Sequence, residues 1–416
     1  MVAARIPDVA RALDESLKDP EVILRILHVI SGLAIGGAER QLVILSRNLL
    51  RRGHQVLIYT LNDLVPRLPE LQRSGVEVVV DQKRLRLDPL VIARLRRTAR
   101  SWGAEVVHGW LYDGNVYTRI ALRGLGIPVI NSERSDNYRL SHAQRSGYAL
   151  TRGWETALVA NSHAGLAFAS RLHRIPADRA HVVWNGIDLA TADLEAVAAP
   201  ALRAALWPGQ EIFIACLVGS ITPPKDHLLA LDTAAVLHKR DPRWRFLFVG
   251  DQLRDTGAYQ EAVQARFHEL QLENVCRFTN ERPDAVAHIA ASDVLFSTSL
   301  FEGFPNVVLE AMACGTPVAS TEYSDIRRIL PLPWQVVHQR SPELLADAIQ
   351  RAACERGSVA KAQRAWVERH ATAERSVAAM EAVYALYATR NLTGLEVTRI
   401  DAANTKMIVS SKARHA

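Results

Sequence analysis

Two glutamates, eight residues apart, lie in the stretch Phe301-Glu302-Gly303-Phe304-Pro305-Asn306-Val307-Val308-Leu309-Glu310. Gly303 and Pro305 break the chain after an apolar run ending at Phe296 and Ser297, and Pro305 suits the first turn of a helix. Val308, Leu309 and Met312 fall in that helix, and Gly315 ends it. In one continuous helix the two carboxylates would point about 80° apart. A loop carrying Glu302 ahead of the helix is needed to turn both toward one ligand. Carboxylates accept hydrogen bonds from sugar hydroxyls, and helix N-termini take phosphates on their free backbone N–H groups. Two solvated surface glutamates would look the same in isolation.

Two further stretches have residues suited to an anionic ligand. Val218-Gly219-Ser220-Ile221-Thr222-Pro223-Pro224-Lys225 follows an apolar run and holds a cation on a loop stiffened by two prolines. Ser31-Gly32-Leu33-Ala34-Ile35-Gly36-Gly37 follows the first apolar run and opens a helix, where Gly36 and Gly37 let backbone N–H groups approach an anion. Its spacing is not the GxGxxG of nicotinamide-binding folds. A tight turn and a solvated lysine are the plain alternatives.

The elements that must position these residues alternate. Ile26–Ile30, Gln55–Thr60, Val76–Val80, Glu105–His108, Pro128–Ile130 and Ala157–Ala160 are expected strands, with helices at Leu42–Arg52, Asp88–Trp102 and Asn115–Leu125. Such alternation predicts parallel sheets covered on both faces. The pattern resumes at Ile212–Val218, Arg245–Val249, Val294–Ser297 and Pro317–Ser320. Between the halves, Leu189–Gly209 is alanine-rich, carries Pro200 and Pro208, and has no strand pattern. The expected organisation is an arm over 1–22, an α/β domain over 23–190, a linker over 191–210, and a second α/β domain over 211–370. A helix over 371–389, packing back on the first domain, and a loose tail over 390–416 complete it. Ligands of doubly wound sheets bind outside the strand carboxyl ends. Two such halves predict a site in the cleft between them.

Composition narrows the function. The 416 residues carry 50 Lys plus Arg against 44 Asp plus Glu, a net charge of +6. Lys83–Arg100 alone holds seven basic residues against Asp88, interleaved with Leu85, Leu87, Leu90, Val91 and Leu95. The excess is one local patch, which disfavours nucleic-acid binding and fits either a solvated helix face or an anionic membrane contact. Cys216, Cys276, Cys314 and Cys354 are scattered and predict buried thiols in a reducing compartment. No apolar stretch approaches the ~18 residues a spanning helix needs. Residues 1–20 mix both charge signs and do not read as a signal peptide. A cytoplasmic protein, peripheral at most to the membrane, is expected.

Taken in order and spacing, these stretches, together with Val159-Ala160-Asn161-Ser162 and Asn185-Gly186-Ile187-Asp188, resemble the family-4 retaining glycosyltransferases of the GT-B fold. The likeness spans about Ile23 to Tyr387 and is most specific in the two-glutamate motif. It implies two Rossmann-like domains facing each other across a cleft, a nucleotide-diphosphate sugar bound by the second and an acceptor by the first. It places Glu302 by the donor sugar and Glu310 on the ribose hydroxyls. The backbone of Gly303 and Phe304 would meet the donor, Lys225 would neutralise the leaving diphosphate, and Gly36 and Gly37 would close over the phosphates. Retention of configuration is implied, and no metal is expected, since the chain lacks the Asp-x-Asp of the other large glycosyltransferase fold.

The sequence departs from the family at two places. Ser220 stands where an arginine is usual, and Arg134 is a candidate for the missing cation. His108 keeps one family histidine, but Trp110 replaces the second. Trp110, Tyr112, Asp113 and Asn115, beside His108, are expected to line an acceptor pocket, an aromatic platform with polar groups beside it. The expected function is sugar transfer to a saccharide or lipid-linked acceptor in polysaccharide or glycolipid synthesis. An epimerase or phosphorylase of the same fold, or a non-catalytic sugar-nucleotide-binding partner subunit, are the alternatives.

Overall fold

A computed structural model describes residues 22–134, 140–209, 211–250, 257–280 and 284–388, with the backbone of 400–401 and 406–407. It divides into two compact units, Met1–Gly186 with Ala373–Ala416, and Ile187–Thr372.

Unit 1 is built on β1 (Arg25–Ile30), β2 (Gln55–Thr60), β3 (Glu77–Val80), β4 (Val106–Trp110), β5 (Val129–Glu133), β6 (Ala157–Ala160) and β7 (Ala180–Val182). They lie parallel in the order β7-β6-β5-β4-β1-β2-β3. Strands buried on both faces read as continuous apolar runs, which is why most were legible. Successive side chains of β1 divide between the faces. Ile26 and Ile30 join one core with Leu42, Leu49 and Tyr384, while Leu27 and Val29 join the other with Val91, Leu95 and Tyr117. The helix Leu111–Leu122 is pressed onto the sheet backbone to backbone. A Cβ on Gly114 would lie 2.3 Å from the carbonyl oxygen of Val29, so only glycine permits that approach.

The helix Ala373–Ala388 completes the first core, burying Val377, Met380, Val383, Tyr384 and Tyr387. Its Glu381 accepts from Arg52 Nε at 2.7 and 2.8 Å and meets His54 Nε2 at 2.7 Å. Beyond β7, β14 (Ile400–Asp401) runs parallel to it and β15 (Lys406–Met407) antiparallel to β14, so part of the expected loose tail is paired. The arm over 1–21 and the remaining tail lie outside the described residues.

Unit 2 contains β8 (Phe213–Val218), β9 (Trp244–Val249), β10 (Cys276–Thr279), β11 (Val294–Ser297), β12 (Val318–Thr321) and β13 (Val336–Val337). All pairs are parallel, in the order β10-β9-β8-β11-β12-β13. The expected linker is instead two helices, Leu189–Ala196 and Ala199–Leu206, both in unit 2. Alanine is the strongest helix former, and Pro200 sits in a first turn, where proline costs little. The chain passes between units at Gly186–Ile187 and Thr372–Ala373.

No helix among the described residues is long and apolar enough to cross a membrane. The four cysteines are free thiols. Cys216 and Cys276 are buried as expected, but Cys354, at the end of the helix Pro342–Cys354, is exposed.

Candidate functional site

In unit 2 the strand order reverses between β8 and β11. Loops leaving two such neighbours part to either side and open a crevice at the strand carboxyl ends. The loop after β8 carries Lys225, and the loop after β11 carries Glu302. Lys225 Nζ donates to Glu302 Oε1 at 2.7 Å, and Ser299 Oγ donates to the same oxygen at 2.5 Å. Both side chains keep some exposure, 23% and 14%, so the pair is reachable by a ligand.

The local sequence explains the placement. Pro223–Lys225 forms one 3₁₀ turn, and Asp226, at φ 48°, reverses the chain into the helix His227–Arg240. Aspartate tolerates this left-handed conformation better than most residues. Its Oδ1 accepts from the backbone N–H of Leu229 at 3.3 Å and caps that helix. Gly250, which no sequence motif marks, follows β9 directly, beneath the same loop. A Cβ there would lie 2.1 Å from the carbonyl oxygen of Gly219.

Glu302 lies in the loop before the helix Asn306–Ala313, whose first turn carries no side-chain cap. Phe304 is buried, and the carbonyl of Gly303 accepts from Ser324 Oγ at 3.1 Å. Glu310 is mostly buried, within that helix. Ser220 is a neutral hydroxyl on the Lys225 loop. Among the described residues, no group of three or more His, Cys, Asp or Glu side chains is placed to hold a metal ion.

In unit 1 the corresponding reversal lies between β1 and β4. Gly36 is the N-cap of the helix Gly37–Arg51, with extended backbone and no side chain of its own, and the first-turn carboxylate of Glu39 lies against it, Oε2 2.3 Å from where a Cβ on Gly36 would be. Across the reversal, Ser31 Oγ donates to Asp113 Oδ2 at 3.1 Å, and Lys83 Nζ pairs with the same carboxylate. Tyr112 and Asp113 are partly exposed.

The other expected acceptor residues are not. His108, Trp110 and Asn115 have no exposed surface, which corrects their assignment to a pocket lining. Most of their polar atoms are paired inside unit 1, though His108 Nε2 is buried without a hydrogen-bond partner among the described residues. His108 Nδ1 meets the Tyr384 hydroxyl at 2.6 Å, and Trp110 Nε1 donates to His28 Nδ1 at 3.1 Å. Asn115 Nδ2 donates to Glu133 Oε1 at 2.9 Å. Their spacing beside partly exposed Tyr112 and Asp113 gave no sign of this, because β4, with His108 and Trp110, is buried on both faces and Asn115 is buried within the helix Leu111–Leu122.

Arg134 follows β5. It donates to Asn185 Oδ1 at 2.7 Å and Ser132 Oγ at 3.1 Å, and its guanidinium lies 4.2 Å from the Trp110 ring centroid. Burial pulls its pKa down to about 10, so it remains a cation at neutral pH. No ion pair joins it to a carboxylate among the described residues.

Buried imidazoles surround these elements. Burial, and then Arg134, pulls His28 down to about 3, and burial lowers His108 as well. In unit 2 burial, and then Lys225, pulls His227 down to about 4. The unfolded chain takes up these protons near pH 6.5, whereas in the folded chain His28 and His227 refuse them until about pH 3 and 4. Protons therefore favour unfolding in that window. Stability is expected to be flat above pH 7 and to fall below 6.5, by about 1.4 kcal/mol per histidine between pH 7.5 and 5.5. Urea unfolding at the two pH values measures this, and identical midpoints would contradict it.

Profiles of two glycosyltransferase families match the chain, Glycosyltransferase Family 4 over residues 35–191 and Glycosyl transferases group 1 over residues 213–354. EpsF of Bacillus subtilis (strain 168), named as a glycosyltransferase, is 26% identical over 70% of this chain and 78% of its own. The fold matches the crystal structure of HepE from Anabaena in complex with UDP and glucose, at TM-score 0.75 and 19% identity, over 87% of this chain and 99% of that one. It also matches WaaG, described as a glycosyltransferase involved in lipopolysaccharide biosynthesis, at TM-score 0.57 and 18% identity, over 89% and 100% of the two chains. With a profile matched in each half and two doubly wound sheets of this kind, the chain belongs to the family-4, group 1 glycosyltransferases of the GT-B fold.

Proposed function

We propose that this glycosyltransferase takes a sugar from a nucleotide-diphosphate donor bound by unit 2 and delivers it to a saccharide or lipid-linked acceptor, retaining the anomeric configuration and using no metal ion. The observation that carries the donor half is the meeting of Lys225 and Glu302 at 2.7 Å, on the two loops that leave the strand reversal. Glycosyl transfer develops positive charge on the sugar and negative charge on the departing diphosphate. A fixed ammonium beside the leaving group stabilises the second, and a carboxylate beside the sugar the first. Glu310 is assigned to the ribose hydroxyls, the backbone of Gly303 and Phe304 to the donor, and the glycine turn at Gly36 and Gly37 to phosphate. Lys225 supplies the positive charge a metal would otherwise bring, and Arg134 is kept as the candidate for a second cation. Ser220 leaves the arginine's usual place neutral. Retention rests on the family likeness. The UDP held by HepE makes uracil the first base to try.

Polysaccharide or glycolipid synthesis at the cytoplasmic membrane face is the setting we assign, supported by the likeness to WaaG and by one surface. Leu85, Leu87 and Leu90 are 60%, 49% and 68% exposed. Arg84, Arg86, Arg97 and Arg100 are exposed near them in the chain. The structure trims the basic patch, since Lys83 pairs with Asp113, Arg94 with Asp81, and Arg96 donates to the carbonyls of Ala121 and Arg123. Reversing Arg84 and Arg86 to glutamate is expected to weaken sedimentation with anionic phospholipid vesicles about tenfold or more, at ~1 kcal/mol per basic residue. Unchanged sedimentation would remove the membrane from this account.

The test of the reaction is a panel of UDP-, GDP-, ADP- and dTDP-sugars with a bacterial lipid extract as acceptor. Free nucleotide diphosphate is expected from one donor class, in proportion to the acceptor and undiminished by a chelator. An epimerised sugar nucleotide without release of diphosphate would overturn the proposal.

A further inference from the structure

We propose that Arg340 is a positioning residue for catalysis, a bracket that fixes the Lys225 loop against the Glu302 loop. The inference rests on the reading of Lys225 and Glu302 as donor-site residues. Arg340 follows β13 and immediately precedes Ser341, the N-cap of the helix Pro342–Cys354. It is far in sequence from both loops, and no motif marks it.

Its guanidinium reaches both. Nη2 donates to Asp226 Oδ2 at 2.6 Å and to the carbonyl of Thr298 at 2.5 Å, while Nη1 donates to the carbonyl of Ser299 at 3.2 Å. Asp226 is the residue after Lys225. Thr298 and Ser299 open the loop that carries Glu302, and Ser299 Oγ holds the Glu302 carboxylate directly. The same two loops are joined a second time, by Thr298 Oγ1 donating to the carbonyl of Lys225 at 2.7 Å and by Leu300 N–H donating to the carbonyl of Pro224 at 2.8 Å.

The residue type follows from the geometry. Two carbonyl oxygens and one carboxylate converge where the loops meet, and three acceptors side by side repel unless a donor is shared among them. A planar fork with several N–H groups satisfies all three at once, and a single ammonium does not. Asp226 is itself in the left-handed region at φ 48°, so the turn that aims Lys225 has a strained residue at its end. Arg340 holds that residue from the opposite side of the reversal. A cation displaced by about 1 Å from the point where charge develops can cost about 10²-fold in rate. The effect of the bracket therefore belongs in turnover, ahead of donor affinity.

The experiment compares wild type, Arg340→Gln, Arg340→Lys and Lys225→Ala, using the sugar nucleotide that gives most diphosphate release in the panel. Arg340→Gln is expected to lower kcat about tenfold or more, to move the donor KM less than threefold, and to leave the melting temperature within about 2 °C. Arg340→Lys is expected to restore less than a third of the lost rate. Asp226→Asn keeps the helix cap but loses the charge, so Arg340→Gln is expected to cost clearly less in that background. Three results would overturn the bracket while leaving the donor site intact. These are an unchanged kcat, full rescue by lysine, or a loss matched by loss of folded protein, each alongside an inactive Lys225→Ala. An active Lys225→Ala would instead overturn the donor-site reading, and the bracket with it.

Discussion

Lys225→Ala is expected to lower turnover by about 10²–10³-fold, the cost of removing one preorganised electrostatic group from a site of developing charge. Lys225 is the basic residue that the loop after β8 offers to the reversal crevice, because Ser220 is neutral. Its ammonium is already seated at 2.7 Å from Glu302, so little ordering is left for the moment of reaction. The alanine variant should fold normally. Lys225 is partly exposed, and its stem packs over Gly219, where a Cβ would lie 2.9 Å from Lys225 Cε, so alanine removes atoms from a loop and none from the core of unit 2. Initial rates of diphosphate release measure the loss. A variant within threefold of wild type would show that the diphosphate leaves somewhere else.

The largest stability effect is expected far from that crevice, at Arg119. This guanidinium has no exposed surface in unit 1. Nε donates to Asn131 Oδ1 at 2.5 Å and lies 3.2 Å from Glu155 Oε2, and Nη2 meets His173 Nδ1 at 2.6 Å. The side chain also lies over the Tyr148 ring at 5.0 Å. Burial pulls the Arg119 pKa down, opposed first by Glu155, which is the sign of a cation held by its partners. Arg119→Leu removes the cation and leaves the Glu155 carboxylate almost wholly buried. Breaking one side of a buried pair costs about 3–5 kcal/mol, which for a domain of this size lowers the melting temperature by about 10 °C. Calorimetry should show the low-temperature shift. A shift below about 3 °C would mean the network adds little to the stability of unit 1.

These two residues mark the reach of sequence reading. Lys225 and Glu302 were legible because each follows an apolar run that becomes a central strand, and strand ends are where such folds place ligands. Arg119 was not, since a helix pattern says nothing about which polar residue turns inward. The same failure explains His108, Trp110 and Asn115. Their types fit an acceptor pocket, but their interior partners, Tyr384, His28 and Glu133, come from other elements. Tyr384 is 276 residues from His108 and reaches it only because the last helix returns to unit 1. The strands β7, β10 and β13 were missed for a different reason. β7 and β13 are only three and two residues long, and β10, Cys276–Thr279, interrupts its apolar residues with Arg277 and Thr279, so it shows no apolar run. Two prolines make Leu189–Gly209 read as a linker, whereas Pro200 sits in the first turn of a helix that alanines sustain.

The central claim is that unit 2 binds the donor through Lys225 and its neighbours. Titration calorimetry with UDP and GDP, on wild type and on Lys225→Ala, tests it most directly. The account predicts saturable binding of one nucleoside diphosphate per chain by wild type, weakened at least tenfold in the variant. Equal affinity in the two proteins, or no binding of either nucleotide by wild type, would contradict it.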